Sequence, residues 1–222
     1  MDEKKQYNTF AKEYSDSFLT YNTNSIDVYF RYLDLDLEGK KALDLGCGDG
    51  YDLSELKKKG AHIFGMDASK EMVVLAQQKN PEGTIKVGLI DNIPFPDQTF
   101  DVVVSKWAFQ AEPSIEPIYK EITRVLKPGG TLIYLTSHPI RQFIEKKQNG
   151  KDYFKNETVK SVFFEGKISE TGTSHTFNEY FSPAFFSNFT LEKYEEGLDH
   201  GAEKINGDTY PSYFIVQARL KG

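Results

Sequence analysis

One cysteine, one tryptophan and three methionines stand in a chain of 222 residues. With Cys47 alone no internal disulfide can form, which suits a reducing compartment. A chain of this length buries roughly 70% of its unfolded surface, so its core needs neither a disulfide nor a metal staple. No apolar run approaches the roughly 18 residues of a membrane-spanning helix. The polar start, Met1-Asp2-Glu3-Lys4-Lys5, has no apolar stretch of the signal-peptide kind. A cytoplasmic protein with no membrane partner is therefore expected, as a monomer or a homodimer. Positive charge is short as well: 27 Lys and Arg against 33 Asp and Glu leave a net charge of −6. Binding a nucleic-acid backbone requires a basic face, so no nucleic-acid partner is expected. The densest basic run, Lys57-Lys58-Lys59, suits the solvated C-terminal end of a helix. No cluster of His, Cys, Asp and Glu has metal-ligand spacing, and no metal is expected.

What the chain has in place of these is a rhythm. Tyr7, Phe10, Ala11, Tyr14, Phe18 and Tyr21 recur at helical spacing within residues 7–33. From residue 40, short apolar runs alternate with helical ones. Strands are predicted over 41–45, 61–66, 84–89, 100–105 and 131–136, the fourth carrying Val102-Val103-Val104, a run suited to burial on both faces. Helices are predicted over 52–59, from Ser69 as N-cap, and over 115–126, closed by Lys127-Pro128-Gly129-Gly130. Strands joined by helical crossovers make a mostly parallel sheet, with ligands at the strands' carboxyl ends. After residue 137 the rhythm breaks into an aromatic, charged segment, and 190–195 and 212–220 read as an antiparallel pair at the sheet edge. The expected fold is a doubly wound α/β domain with a seven-stranded sheet. Within it, residues 1–39 form a helical lid, 40–137 a binding core, 138–182 a cap and 183–222 the edge strands.

The first strand ends in Leu43-Asp44-Leu45-Gly46-Cys47-Gly48-Asp49-Gly50. Glycines in a strand-to-helix turn let a ligand approach the backbone and its amides. The dinucleotide fingerprint is G-x-G-x-x-G/A. Here the spacing is G-x-G-x-G, and bulky Tyr51 stands where the small third residue belongs, which disfavours an NAD-dependent oxidoreductase.

This run, together with Met66-Asp67-Ala68-Ser69 and Met72, Ile93-Pro94-Phe95-Pro96-Asp97 with Phe100-Asp101, and Arg124-Val125-Leu126-Lys127-Pro128-Gly129-Gly130, resembles the class I S-adenosylmethionine-dependent methyltransferases, in particular the small-molecule group labelled type 11. The resemblance covers roughly residues 41–136. It implies S-adenosylmethionine as cofactor, S-adenosylhomocysteine as product, and a small-molecule acceptor methylated on oxygen or nitrogen by metal-independent in-line displacement. A non-catalytic module that binds the same cofactor is the alternative.

By that resemblance, Gly46, Cys47 and Gly48 lie against the amino-acid end of the cofactor, with Asp44 on its ammonium side and Ser105 at the tip of the fourth strand. Asp67 accepts hydrogen bonds from the ribose hydroxyls, a pairing that suits a carboxylate and a vicinal diol. Ala68, Met72 and Ile90 pack on the adenine, and Tyr14 belongs to the family's Y-x-x-x-A-x-x-Y opening. The family's acidic residue after the third strand is replaced by Leu89, leaving Asp91 as the substitute for holding the adenine amino group. Many relatives carry a histidine where Gln110 stands. His138 and His175 are then the candidate catalytic bases, and Trp107, Gln110, Arg141 and Tyr180 the candidate acceptor-binding residues.

Overall fold

The computed structural model describes residues 23–146, 151–163, 168–199, 204 and 207–222. Of the expected N-terminal helix the described part is α1, Thr23–Tyr32; Tyr7, Phe10, Ala11, Tyr14, Phe18 and Tyr21 lie outside the described residues. There follow β1 (Lys41–Leu45), α2 (Tyr51–Lys58), β2 (His62–Asp67), α3 (Lys70–Lys79), β3 (Thr84–Val87), β4 (Phe100–Lys106), α4 (Glu116–Val125) and β5 (Leu126–Ser137). Then come α5 (Pro139–Glu145), β6 (Thr158–Phe163), β7 (Ile168–Thr173), α6 (Phe177–Tyr180), α7 (Pro183–Asn188), β8 (Phe189–Gly197) and β9 (Tyr213–Leu220).

Seven strands form one sheet in the order β3-β2-β1-β4-β5-β9-β8. The first five run parallel, while β9 pairs antiparallel with both β5 and β8. The order in which strands are added reverses between β1 and β4, with β2 and β3 to one side and β4 and β5 to the other; this is the switch point at which such sheets bind ligands. Strands β6 and β7 form a separate antiparallel pair.

The two-residue period of the strands divides the core into two layers. Leu43, Leu45, Val103, Leu132, Tyr134, Phe214 and Val216 face α4 and α7, through Ile118, Tyr119, Ile122 and Phe185. Ala42, Val102, Val104, Ile133, Leu135 and Ile215 face α1, α2 and α3, through Tyr29, Leu33, Leu53, Leu56 and Ala76. The sheet is thus covered on both sides, as a doubly wound fold requires.

Two predicted boundaries move. Lys127-Pro128-Gly129-Gly130 does not end a helix in a free turn; it lies inside β5. The ladder to β4 slips there between Phe100 and Val102, and Gly129 takes a φ of +74°. Proline lacks an N–H for the ladder and glycine permits the left-handed step, so these residues make an irregularity at the strand's start. Strand β3 stops at Val87 rather than residue 89, because the chain turns back through a bridge between Leu89 and Asn92.

On the first layer, the Tyr119 hydroxyl donates to the Tyr180 carbonyl at 2.8 Å and lies 3.0 Å from the Tyr134 hydroxyl. All three residues are buried, which ties α4, β5 and α6 together. Tyr119→Phe leaves a buried carbonyl and a buried hydroxyl without partners, and it should cost about 1–3 kcal/mol in urea unfolding. Tyr134→Phe keeps the bond to Tyr180 and should cost less; the opposite order would contradict this arrangement.

Candidate functional site

The carboxyl ends of β1, β2, β4 and β5 meet at the glycine-rich turn. The N–H groups of Gly46 and Cys47 both donate to the Met66 carbonyl, each at 2.9 Å, which pins the turn to the end of β2. Gly46 has a φ of +76°, and a Cβ there would stand 2.6 Å from Cβ of Ala108. Gly48, at φ +51°, has open space where a side chain would project. The turn is therefore tight on one side and open on the other.

Asp67 spans its opening. Its carboxylate accepts from Gly48 N–H at 2.9 Å and Ser69 N–H at 2.8 Å. A carboxylate has about four acceptor positions, so these bonds leave capacity for further donors. Burial raises the Asp67 pKa, while the N–H groups of Ser69, Gly48 and Ala68 pull it back. Ser69 caps α3 through Met72 N–H, which frees Asp67 from sole duty as a cap. Met72 and Ile90 are buried, whereas Ala68 and Asp91 are exposed.

Asp44 lies beneath the turn with 1% exposure, and its Oδ2 has no hydrogen-bond partner. Burial first, then the Asp52 charge, holds its carboxyl well above the usual range; Lys106 acts in the opposite direction. Cys47 is buried as a free thiol, pushed up by the same burial and the nearby carboxylates. The Ser105 hydroxyl donates to the Leu45 carbonyl at 2.9 Å, so it braces the turn from β4.

On the other side of the switch point, Trp107 takes a φ of +58° and buries an indole N–H that has no partner. Left-handed backbone is strained for such a side chain, and strain of this kind gathers at functional sites. Gln110, in the short turn Phe109–Ala111, accepts from the Thr136 hydroxyl at 2.8 Å, and the Tyr180 hydroxyl lies 3.5 Å from the same Thr136 oxygen. Gln110 and Tyr180, far apart in sequence, are thus brought together. Arg141 lies apart from them on α5, where it pairs with Glu145 at 2.6 Å.

Both candidate bases are engaged elsewhere. His138 Nδ1 accepts from Ile140 N–H at 3.2 Å as the cap of α5, so its Nε2 carries the proton toward Glu196, 3.0 Å away. Burial lowers the pKa of this ring, and Glu196 counters it. His175 faces two acceptors, the Glu112 carbonyl at 2.9 Å and Glu179 at 3.3 Å. Neither ring has a nitrogen left for a substrate proton in this arrangement. Sequence reasoning also missed Asp52, Lys106, Thr136 and Tyr29. A lysine ending an otherwise apolar strand was the available signal for one of them; the others carry no local mark.

A family model described as a methyltransferase domain matches residues 43–134, the segment that builds the turn, Asp67 and the switch point. A demethylmenaquinone methyltransferase of Geobacillus sp. (strain WCH70) is 40% identical over 111 residues, covering 46% of this chain and 47% of the relative. Residues 43–134, less than half of the chain, are thus similar to a methyltransferase domain. A malonyl-[acyl-carrier protein] O-methyltransferase of Erwinia billingiae is 34% identical over 99 residues, 45% of this chain and 39% of the relative. The chain spans about half the length of the first curated relatives it matches. Among solved structures, an S-adenosylmethionine-dependent methyltransferase from Mesorhizobium loti superposes with a TM-score of 0.67 at 21% identity, covering 85% of this chain and 94% of that one. DhpI in complex with SAH does so with a TM-score of 0.70 at 15% identity, over 99% and 96%. These likenesses show the fold.

The residues of this segment fit S-adenosylmethionine. The unpartnered Asp44 oxygen suits an ammonium, the spare acceptor capacity of Asp67 suits ribose hydroxyls, and the open face of Gly48 admits both near the backbone. Without a cation Asp44 is a liability. Its raised folded pKa means that stability falls as pH rises from the ordinary value of 3.8 through the folded value. Asp44→Asn should therefore raise the ligand-free melting temperature at pH 7, with the gain disappearing below pH 3.8. Thermal unfolding across that range checks it; a variant less stable than the native protein at pH 7 would contradict it.

Proposed function

We propose that this chain transfers the methyl group of S-adenosylmethionine to an oxygen or nitrogen atom of a small-molecule acceptor, without a metal ion. The observation that carries the reading is the buried, unpartnered Asp44 oxygen beneath a turn that leaves Gly48 open, with Asp67 beside it. When bound, the cofactor supplies a methyl group on a positively charged sulfur, an already activated donor that needs no Lewis acid. The chain's own work is then alignment and exclusion of water.

In this reading Asp44 holds the ammonium, Asp67 the ribose, and the backbone of Gly46, Cys47 and Gly48 the amino-acid end. Ala68, Met72 and Ile90 contact the adenine, and Asp91 reaches its amino group from the loop after β3. Tyr14, outside the described residues, keeps the cofactor-binding role that the resemblance implies. Ser105 acts indirectly, by bracing the turn. Trp107 offers its unpartnered indole N–H to the acceptor, and Gln110, Thr136 and Tyr180 form a polar wall across from it. Arg141, Tyr180 and the other described residues of 138–182 form the cap. His138 and His175 position that cap through Glu196, Glu112 and Glu179 rather than serve as bases. Deprotonation is then left to acceptors that are already anionic or that lose their proton to water.

The names of the relatives support an acceptor that is a metabolite or its carrier-bound form, since they include a demethylmenaquinone and a malonyl-[acyl-carrier protein] methyltransferase. The acidic balance supports the same choice over nucleic acid. The test is release of S-adenosylhomocysteine with phenols, amines, carboxylates and quinols, with the methylated atom identified by NMR. Methylation on oxygen or nitrogen, undiminished by EDTA, is expected. Products methylated only on carbon, or turnover lost to EDTA, would contradict the proposal. Tight cofactor binding with no turnover on any acceptor would favour a non-catalytic binding module.

A further inference from the structure

Lys106 ends β4 and points across the switch point to the first turn of α2, where its Nζ lies 2.7 Å from Oδ1 of Asp52. Both side chains are less than a tenth exposed. Among the described residues, three aromatic rings lie around the ammonium: its distances to their centroids are 5.0 Å for Tyr29, 5.7 Å for Phe30 and 5.9 Å for Tyr51. A buried ion pair in an aromatic cage is costly to build and contributes little net stability over an apolar pair of the same shape. It stands on the face of the sheet that Asp44 occupies, since Asp44 pairs with Val104, two residues before Lys106; Oδ2 of Asp44 and the hydroxyl of Tyr29 are both buried there without partners.

We propose that Lys106, fixed by Asp52 and the Tyr29–Phe30–Tyr51 cage, is the positioning cation of the cofactor site, keeping Asp44 an anion ready for the cofactor's ammonium. The inference rests on the reading of Asp44 as the ammonium partner. Asp52 on α2, Asp67 at the end of β2 and Asp49 in the turn all push the Asp44 carboxyl toward the neutral form, and the Lys106 ammonium opposes them. Cys47 and Tyr29, which feel the Asp44 charge, are themselves raised by burial and stay neutral. A neutral Asp44 would keep a hydrogen-bonding group but lose its attraction for an ammonium. Lys106 does not touch the cofactor in this scheme; it acts through Asp44.

Two single variants should move Asp44 in opposite directions. Lys106→Met removes the opposing cation, so the Asp44 titration midpoint rises. Asp52→Asn removes a neighbouring anion, so it falls. The double variant lies between them, near the native protein, and Lys106→Arg retains the native midpoint. The direct readout is the Asp44 carboxyl ¹³C resonance in ligand-free protein, assigned by its loss in Asp44→Asn. The parallel readout is calorimetric affinity for S-adenosylhomocysteine against pH. A midpoint raised by about one pH unit should weaken binding about tenfold at pH values below both midpoints, and the loss should recover as pH rises.

If Lys106→Met leaves Asp52 too poorly compensated to fold, Asp52→Asn, the double variant and Lys106→Arg still decide the matter. Folded variants whose midpoints do not move, or Lys106→Met and Asp52→Asn moving the same way, would overturn the proposal. Absence of native binding at every pH would overturn the cofactor reading on which it rests. Native binding with unshifted midpoints would overturn this inference alone.

Discussion

An ionisable side chain stands at the inward-facing position of a buried strand, and the architecture around the switch point is organised by that constraint. The alternation of β1 puts Asp44 on the layer of Ala42, under α1 and α2, where an unpaired carboxylate is expensive. Turning the strand over would not free it, because both faces of the sheet are covered. What surrounds it is local: a turn of glycines directly after it and, on the same face of the sheet, a lysine at the end of β4.

The same constraint explains why the neighbouring groups are so firmly held. Ser105 fixes the Leu45 carbonyl, the Met66 carbonyl takes two N–H groups of the turn, and Asp67 is gripped by Gly48 and Ser69. Backbone amides are thereby committed before any ligand arrives, so binding need not order them, and the preorganisation lowers its entropic cost. Beyond β4, Trp107 is held in a strained backbone conformation, and Gln110, Thr136 and Tyr180 form a buried polar cluster.

Much of the cofactor side is legible in the sequence because it is local. The strand run 41–45, the glycines directly after it and Asp67 at the next strand's end each show within a few residues, and their order along the chain gives the fold. Other pairs at the strand ends and around α5 are assembled from distant pieces. Asp52 and Lys106 are 54 residues apart, and His138 and Glu196 are 58 apart, so no spacing announces either pair. The partners of the His138 ring, Ile140 N–H and Glu196, likewise leave no mark in the local sequence. Local grammar misled at Lys127-Pro128-Gly129-Gly130. There a run with turn chemistry is absorbed into β5, because β4 and β9 both pair with the stretch that begins at Thr131.

A crystal structure of the protein with S-adenosylhomocysteine tests the central claim most directly. The ligand's ammonium is expected on Oδ2 of Asp44 and its ribose hydroxyls on Asp67, with Gly48 against the ligand and the turn unmoved. A ligand bound elsewhere, or one that leaves the Asp44 oxygen without a partner, would contradict the claim.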